Sequence, residues 1–310
     1  MKRRLITIIV FTGTLLTCCA QAQTTWVTDV EEGKKDAAKN NKNMLIVFTG
    51  SDWNDQSKDL ITDVFTDEFF KKGSKKYVLC NVDIVKDKTL MDATQLQTNY
   101  TIASQYNVQS LPLFVLLTPD GDVYGTTSVT DETGTIDGLL NLLATFDEAK
   151  EKLVDLKKKI NSSEGVEKAQ NIDLFIEAVD PSQREQYADL IRQVPDLDSD
   201  GTAGLKGKYQ LQAAYLDALA LYQAGDLTSA GDCFIKLTEG STLDPAQLQQ
   251  AWYMGAYMYA MSGGVEEEKV IGLLEKAVAA DPQNPGSAQI QATIDELKTH
   301  ATDETDAEAE

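Results

Sequence analysis

The chain has 310 residues and, with 28 Lys and Arg against 49 Asp and Glu, a formal net charge of −21. Such an acidic chain is not expected to bind nucleic acids or an anionic membrane surface, because both need patches of Lys and Arg. The single histidine, His300, excludes histidine-based zinc sites, Cys–His nucleophiles and Ser–His–Asp triads. No cofactor is predicted.

The N-terminal 22 residues have the three parts of a secretory signal peptide. A basic segment, residues 2–4, precedes an apolar run, residues 5–16, and the sequence Ala-Gln-Ala that ends at Ala22 is a small-x-small cleavage site. The apolar run is too short to span a bilayer, so we predict cleavage after Ala22 and a periplasmic or secreted protein without a transmembrane segment. A lipoprotein signal is the alternative, because Cys18 and Cys19 follow the apolar run.

Without the signal peptide the chain keeps two cysteines, Cys80 and Cys233, which are far apart in the sequence. This pair predicts no disulfide framework. Cys80 lies in the apolar segment Val78–Val82, which is typical of a central strand, so we predict a buried structural thiol rather than a reactive one. A redox role for either cysteine stays an open alternative.

Residues 26–145 alternate between strand and helical patterns. Apolar or alternating runs predict strands at Met44–Thr49, Tyr77–Val85, Leu113–Leu117 and Val123–Thr127. Helical spacing predicts helices at Asp29–Asn41, from Asp55 to Phe65, at Leu90–Tyr106 and at Ile136–Phe146. This order predicts an α/β domain, residues 23–147, with a mixed sheet between two layers of helices.

The strand that ends at Thr49 runs directly into a helix, and the sequence of this corner, residues 50–58, is GSDWNDQSK. Together with the order of the elements and the turn Gln109–Leu113, this corner resembles the thioredoxin family. The similarity is greatest to exported bacterial members whose motif reads Gly-Ser-Asp-Trp-Cys-x-x-Cys-Lys. Asn54 and Ser57 stand where that motif has its two cysteines. The resemblance implies a thioredoxin-like fold and a cis peptide bond before Pro112.

The two replaced cysteines bear on the chemistry of the corner. Disulfide exchange needs a thiolate at the helix N-terminus and a second thiol that resolves the mixed disulfide. Neither Asn54 nor Ser57 supplies a thiol, and the resemblance places Phe48 where many thioredoxins have a buried acid. We therefore predict no catalytic residue and no redox activity here. The alternative is a thiol–disulfide oxidoreductase or isomerase-related activity, either through Cys80 or at the cleft where related proteins carry their cysteine pair.

Peptide binding does not need the cysteines. In thioredoxins the backbone before the cis-proline pairs with an extended partner segment, and the tryptophan before the motif forms part of the rim. The resemblance therefore makes Trp53, Leu111 and Pro112 candidates for peptide binding. The alternative is that these residues only hold the corner together.

Residues 148–298 show helical spacing and no strand pattern, which predicts an all-α domain. Its first part predicts helices at 148–160, 166–178 and 182–194. In its second part Ala214 and Gly225 have counterparts 38 residues later, Trp252 and Gly263. This period, with an Asp-Pro pair closing each unit, resembles the tetratricopeptide repeat. The resemblance implies a groove for a protein or peptide partner.

The aromatic residues of the second repeat unit are predicted to be core, because their helical spacing is typical of a buried face. They are Trp252, Tyr253, Tyr257 and Tyr259.

Two polar segments of the second half remain to be interpreted, one between predicted helices and one at the C-terminus. Asp196, Asp198 and Asp200, followed by glycine, match the first half of an EF-hand calcium loop, but Gly207 stands where that loop needs a glutamate. We expect an inter-helix turn with a capping aspartate and no metal; calcium binding at 196–207 is the alternative. Residues 299–310 are acidic without large apolar side chains and are predicted to be disordered. The whole pattern favours an exported, non-enzymatic protein that binds or assembles other proteins in the cell envelope.

Overall fold

The structure, a computed structural model, describes residues 25–239 and 242–307, with side chains described up to Thr299. The predicted signal peptide, its cleavage site and the two cysteines of the lipoprotein alternative lie outside the described residues. Within the described ranges, no helix is both long enough and apolar enough to cross a membrane.

The elements fall into an α/β part followed by a helical part. The α/β part holds the strands β1 (Asn43–Thr49), β2 (Tyr77–Asp83), β3 (Leu113–Leu117) and β4 (Val123–Ser128) and the helices α1 (Val30–Asn40), α2 (Asp55–Asp59), α3 (Asp67–Gly73), α4 (Ala93–Gln105) and α5 (Ile136–Ala144). The helical part holds α6 (Asp147–Ser162), α7 (Gly165–Ala178), α8 (Ala188–Leu197), α9 (Lys206–Gln223), α10 (Leu227–Leu237), α11 (Pro245–Ser262), α12 (Glu267–Ala280) and α13 (Ser287–Ala307). A π-helical turn continues α2 at Leu60–Val64, and short 3-10 helices lie at Asp131–Gly134 and Pro181–Tyr187.

The four strands form one mixed sheet in the order β2-β1-β3-β4. β1 pairs with β2 in parallel and with β3 antiparallel, and β3 pairs antiparallel with β4. In this register Val47 lies between Asn81 and Phe114. The mixed sheet confirms the predicted α/β fold, and β1 and β3 begin and end within one residue of their predicted bounds.

Helices cover the sheet on both sides, so the central strands bury both faces. Alternate residues of β1 enter opposite cores, with Leu45 and Val47 on one side and Ile46 and Phe48 on the other. The first core is closed by α3, α5 and helices of the second part, and the second core by α1 and α4. Burial on both sides explains why β1 is a continuous apolar run.

The helix after the corner differs from the single helix predicted from Asp55 to Phe65. α2 ends at Asp59, and the following π-helical turn closes when the Phe65 N–H donates to the Leu60 carbonyl at 2.8 Å. This wider turn returns Phe65, five residues after Leu60, to the buried side. The irregular turn therefore allows both Leu60 and Phe65 to be buried.

The helices of the second part pack against their neighbours in sequence. α6 and α7 correspond to the helices predicted at 148–160 and 166–178. The helix predicted at 182–194 begins only at Ala188, because a 3-10 helix starting at Pro181 precedes it. Gly225 and Gly263, the glycines of the predicted repeat, follow α9 and α11 with φ of 81° and 61°, the left-handed conformation that favours glycine after a helix.

The aromatic residues of α11 are divided between core and surface. Tyr259 is buried and Trp252 is half-buried, whereas Tyr253 and Tyr257 are exposed. The prediction that all four are core is therefore wrong for these two. α11 packs on its neighbours through one side only, and both exposed tyrosines lie on the other side.

The C-terminal segment also differs from the prediction. α13 continues to Ala307, so residues 299–307, predicted to be disordered, extend a helix. Ile290 and Ile294 anchor this helix in a core shared with α11 and α12. Once a helix is nucleated in this way, alanine and glutamate favour its continuation.

The α/β part and the first helices of the second part share one core. The cluster that contains Phe114 of β3 also contains Leu153 of α6. Phe146, which directly precedes α6, lies against Gly125 of β4 so closely that a Cβ at Gly125 would be 2.6 Å from the ring. The predicted domain boundary after residue 147 thus falls inside a packed region.

A polar cluster fastens the turn between β3 and β4 to these helices. The buried carboxylate of Asp122 accepts hydrogen bonds from the Tyr187 hydroxyl at 2.8 Å and the Thr118 hydroxyl at 3.1 Å, and pairs with Lys157 Nζ at 2.6 Å. Burial and the neighbouring Asp122 raise the pKa of Tyr187. The cluster ties α6 and the segment before α8 to the edge of the sheet.

Candidate functional site

Asn54 caps the helix that follows the strand-to-helix corner. Its Oδ1 accepts a hydrogen bond from the Ser57 N–H at 2.8 Å, and its own N–H donates to the Gly50 carbonyl at 2.8 Å. Its backbone is extended, with φ −95° and ψ 118°, as is usual for an N-cap residue. The corner predicted from the sequence is therefore in place, with α2 beginning directly after Asn54.

Ser57 is fully buried beneath Asn54. Its hydroxyl donates to Asn54 Oδ1 at 3.0 Å and accepts from the Gly50 N–H at 3.0 Å. These bonds use the donor and one acceptor position of the hydroxyl. Neither partner is a base, so the arrangement does not activate the serine as a nucleophile.

The peptide bond between Leu111 and Pro112 is cis, as the thioredoxin resemblance implied. It lies against the corner, because Asn54 Nδ2 donates to the Leu111 carbonyl at 3.2 Å. The structure therefore brings together Asn54, Ser57 and the cis-proline segment. It also gives the Leu111 carbonyl a donor from within the chain.

Trp53 makes its polar contacts with the loop after β2. Its Nε1 donates to the Ile84 carbonyl at 2.7 Å, and Lys86 Nζ lies 4.1 Å from the centre of its ring. The ring also lies against Gly50, where a Cβ would be only 2.7 Å from it. Trp53 is thus held by the corner and the loop, while Asn54 makes the contact with the cis-proline segment.

Two aspartates outside the candidate set hold the corner in position. Asp83, at the end of β2, accepts from the Ser51 N–H and the Thr49 hydroxyl, both at 2.9 Å. Asp52 accepts from the Asp87 N–H at 2.7 Å, and this hydrogen bond lowers the pKa of the Asp52 carboxyl. A sequence signal for Asp83 does exist, since an acid ends an otherwise apolar strand.

The remaining thiols are poorly suited to exchange chemistry. Cys80 is fully buried on β2. Its burial, and to a smaller extent the negative charge of Asp29, raise the pKa of its thiol to about 12. Cys233 on α10 is half-buried. Its burial, and to a smaller extent the negative charge of Asp217, raise the pKa of its thiol. Since the thiolate is the nucleophile, both cysteines are weak ones at neutral pH. Phe48, which the thioredoxin resemblance placed where many members have a buried acid, is fully buried with its ring 5.9 Å from that of Tyr106.

Two aspartates of the calcium-like loop stabilise the turn between α8 and α9 through hydrogen bonds to its backbone. The buried Asp198 accepts hydrogen bonds from three backbone N–H groups, those of Ala203, Leu205 and Lys206. Asp200 accepts from the Thr202 N–H at 3.1 Å. These contacts are those of the expected inter-helix turn. Among the described residues, no group of three acid, histidine or cysteine side chains is arranged to hold a metal ion.

Comparison with known proteins adds two family matches and three similar proteins. Residues 25–119 match a family model described as Thioredoxin-like, and residues 205–303 match one described as Uncharacterised protein C-terminal domain. An uncharacterized protein of Treponema pallidum (strain Nichols) is 29% identical over 284 residues, which cover 92% of this chain and 93% of that protein. The thioredoxin-related protein DsbJ of Chlamydia pneumoniae is 27% identical over 111 residues, which cover 35% of this chain and 32% of that protein. A solved structure of a DsbH oxidoreductase covers 42% of this chain and 85% of its own, with 19% identity and a TM-score of 0.32.

The α/β part of this chain is therefore a thioredoxin-like domain, related in sequence to a Dsb protein. A helical region with a family match of its own follows it. The alignment with the Treponema protein extends through both parts. The resemblance of the helices to tetratricopeptide repeats stays a prediction.

Proposed function

We propose that this protein is an exported, non-catalytic thioredoxin-like protein that binds another protein, or helps to assemble one, in the cell envelope. The observation that carries the proposal is the hydrogen-bonded unit of Asn54, Ser57 and the Leu111 carbonyl. A redox-active corner needs a thiolate in front of the helix N-terminus. In this chain an amide occupies that position.

The chemistry of this unit supports a non-catalytic role. The Ser57 N–H, one of the helix donors that would stabilise a thiolate, is bonded to Asn54 Oδ1. A carboxamide is no nucleophile, and the Ser57 hydroxyl is buried between Asn54 and Gly50. Cys80, with a thiol pKa raised to about 12, is no substitute.

The same unit favours the helical region as the surface for the partner. The Leu111 carbonyl, an acceptor that a bound peptide would use, already receives Asn54 Nδ2. A partner segment that pairs with the backbone at Leu111 would have to share this acceptor with Asn54 or displace the bond. The tetratricopeptide-like helices, in contrast, expose apolar side chains on α9 and α11. The envelope location rests on the signal-peptide pattern of residues 1–22.

The proposal is tested by disulfide exchange. The mature protein should reduce insulin disulfides with dithiothreitol at the background rate. The double variant Asn54→Cys/Ser57→Cys should form a reversible disulfide and gain partial activity, because the helix N-terminus lowers the pKa of a thiol at position 54. The single variant Asn54→Cys is the matched control, since it forms mixed disulfides but has no resolving thiol.

Two results would contradict the proposal. Wild-type activity above background that disappears in Cys80→Ala would make Cys80 the nucleophile and favour the oxidoreductase alternative. A double variant whose cysteines never pair under mild oxidant would show that the corner does not have the geometry of a thioredoxin site.

A further inference from the structure

Helices α9 and α11 leave an apolar pocket between them. It has a volume of about 390 Å³ and is lined mainly by Tyr215, Leu219, Tyr222, Phe234, Tyr257 and Met261. None of its lining side chains is charged. A pocket of this size and composition can bury a large apolar side chain.

The pocket lies where exposed apolar residues are concentrated. Of the nine exposed large apolar side chains in the described residues, five belong to α9 and α11: Leu219, Tyr222, Tyr253, Tyr257 and Met261. The 18 residues of α11 include no charged residue, although 25% of the chain is charged. Single exposed apolar residues are ordinary, but a group on adjacent helices marks an interaction surface.

The two helices run in the same direction, so their ends meet at one edge of the pocket. Near their starts the Thr242 hydroxyl donates to Gln210 Oε1 at 2.6 Å, and near their ends Tyr222 and Met261 line the same pocket. The turns after the helices, with Asp226 and the Glu-Glu-Glu run 266–268, therefore lie at that edge.

This edge of the pocket is acidic. Glu266, Glu267 and Glu268 are all exposed, and none forms an ion pair within the described part of the chain. Lys269, the next residue, forms no ion pair with them, and its Nζ lies 4.5 Å from the centre of the Tyr259 ring. Glu267 and Glu268 also lie in the first turn of α12, which favours acids. Their charge is exposed to solvent, a few residues after Met261 of the pocket.

From these observations we infer that the pocket between α9 and α11 binds an apolar side chain, aromatic or leucine, of a partner segment in which Lys or Arg flanks that side chain. The apolar lining takes the anchor, and the acidic edge, within a chain of net charge −21, attracts the basic flanks and repels acidic ones. A second copy of this chain is a poor occupant because it would bring the same acidic edge. The inference rests on the protein-binding role proposed above and names the chemistry of the partner.

The test uses the full mature chain and a short fluorescein-labelled peptide with one central Trp flanked by two Lys on each side. Tyr257→Ser and Leu219→Ser should each lower the affinity by about tenfold, the usual effect of removing a central anchor contact. The triple variant Glu266→Gln/Glu267→Gln/Glu268→Gln should weaken binding more at low salt than at high salt. Tyr100→Ser is the matched control, because Tyr100 on α4 is as exposed as Tyr257, at 47% against 46%.

Several results would overturn the inference. They are no saturable binding of the peptide, equal binding of a peptide with Ser for Trp or with Glu for Lys, and pocket variants that behave like Tyr100→Ser. A dimer of the wild type that Tyr257→Ser dissociates in sedimentation would assign the pocket to a second copy. Circular dichroism shows whether each variant is folded. The insulin assay on the same samples is independent, since redox activity would contradict the proposed function without changing peptide binding.

Discussion

Asn54 and Ser57 keep the geometry of a thioredoxin-like corner without a thiol. The cap oxygen of Asn54 takes the helix N–H that a thiolate would use, and its amide nitrogen reaches the Leu111 carbonyl. Ser57 fills the buried position behind it and donates to the same oxygen. Neither side chain supplies a thiol for disulfide exchange, and their hydrogen bonds hold the corner and the cis-proline segment together.

Ser57→Ala should destabilise the protein by about 1 to 2 kcal/mol, because it leaves the buried Gly50 N–H without its acceptor. The neighbouring Gln56→Ala, at an exposed position of the same helix, is the control and should change stability by less than about 0.5 kcal/mol. Chemical denaturation with unchanged slope measures the difference. Equal stability of the two variants would show that the Ser57 bonds contribute nothing.

The two cysteines should differ in reactivity. In the native protein at pH 8, iodoacetamide should modify the half-buried Cys233 before the fully buried Cys80, and Cys80 should react only after unfolding. The thiol pKa of Cys80 is raised from 9.0 to about 12, so the stability that its neutral burial contributes is present below pH 9.0 and is lost as the pH rises toward 12. Peptide mass mapping checks the order of labelling, and chemical denaturation over a pH series checks the loss of stability. Early labelling of Cys80 would show that β2 opens in the native protein.

At the scale of elements, apolar patterns located most of the fold. The run at β1 and the run at β3 predicted their bounds because buried strands must be continuously apolar. The π-helical turn after α2 was missed because Leu60, Val64 and Phe65 also fit an α-helix. The 3-10 helix before α8 and the extension of α13 were missed because both depend on contacts outside the segment itself.

The candidate site was predicted only in part, because some of its contacts also depend on elements that are distant in the sequence. The motif identified Asn54, Ser57 and Pro112 by their order along the chain. The hydrogen bonds of Asp83 to Ser51 and Thr49 depend on the parallel register of β1 and β2, which no spacing within one strand reveals. The exposure of Tyr257 likewise depends on which side of α11 its neighbours cover.

Tyr187→Phe should lower stability by about 1 to 2 kcal/mol, because it removes the hydrogen bond to the buried Asp122 while leaving the ring in the core. Tyr100→Phe, at an exposed position on α4, is the matched control and should have almost no effect. Thermal melts of both variants measure the difference. Indistinguishable melts would mean that Lys157 and Thr118 satisfy Asp122 without the tyrosine.

At the scale of the whole molecule, the hydrophobic cores and the sequence pattern place the division of the chain at different points. The sequence pattern changes after residue 147, whereas the first core continues well beyond it. The core around Phe114 extends through α6, α7 and α8 to Val194 and reaches Tyr209 at the start of α9. Two separate clusters within α9–α13 hold the rest. The family match that begins at residue 205 agrees with this division. We therefore propose that the helices α6 to α8 fold together with the thioredoxin-like part through this shared core.

This division predicts how fragments behave. A fragment of residues 23–204 should melt cooperatively, whereas a fragment of residues 23–147 should be much less stable, because it exposes the core that Leu153, Leu156 and Phe175 cover. Burying a side chain of this size contributes about 1.5 to 3 kcal/mol, so the loss of three approaches the whole stability of a small domain. Thermal melts and amide proton NMR dispersion of the two fragments, made side by side, measure the difference. If 23–147 melts cooperatively near the temperature of 23–204, the boundary after residue 147 is the correct one and the shared core is only a contact between two domains.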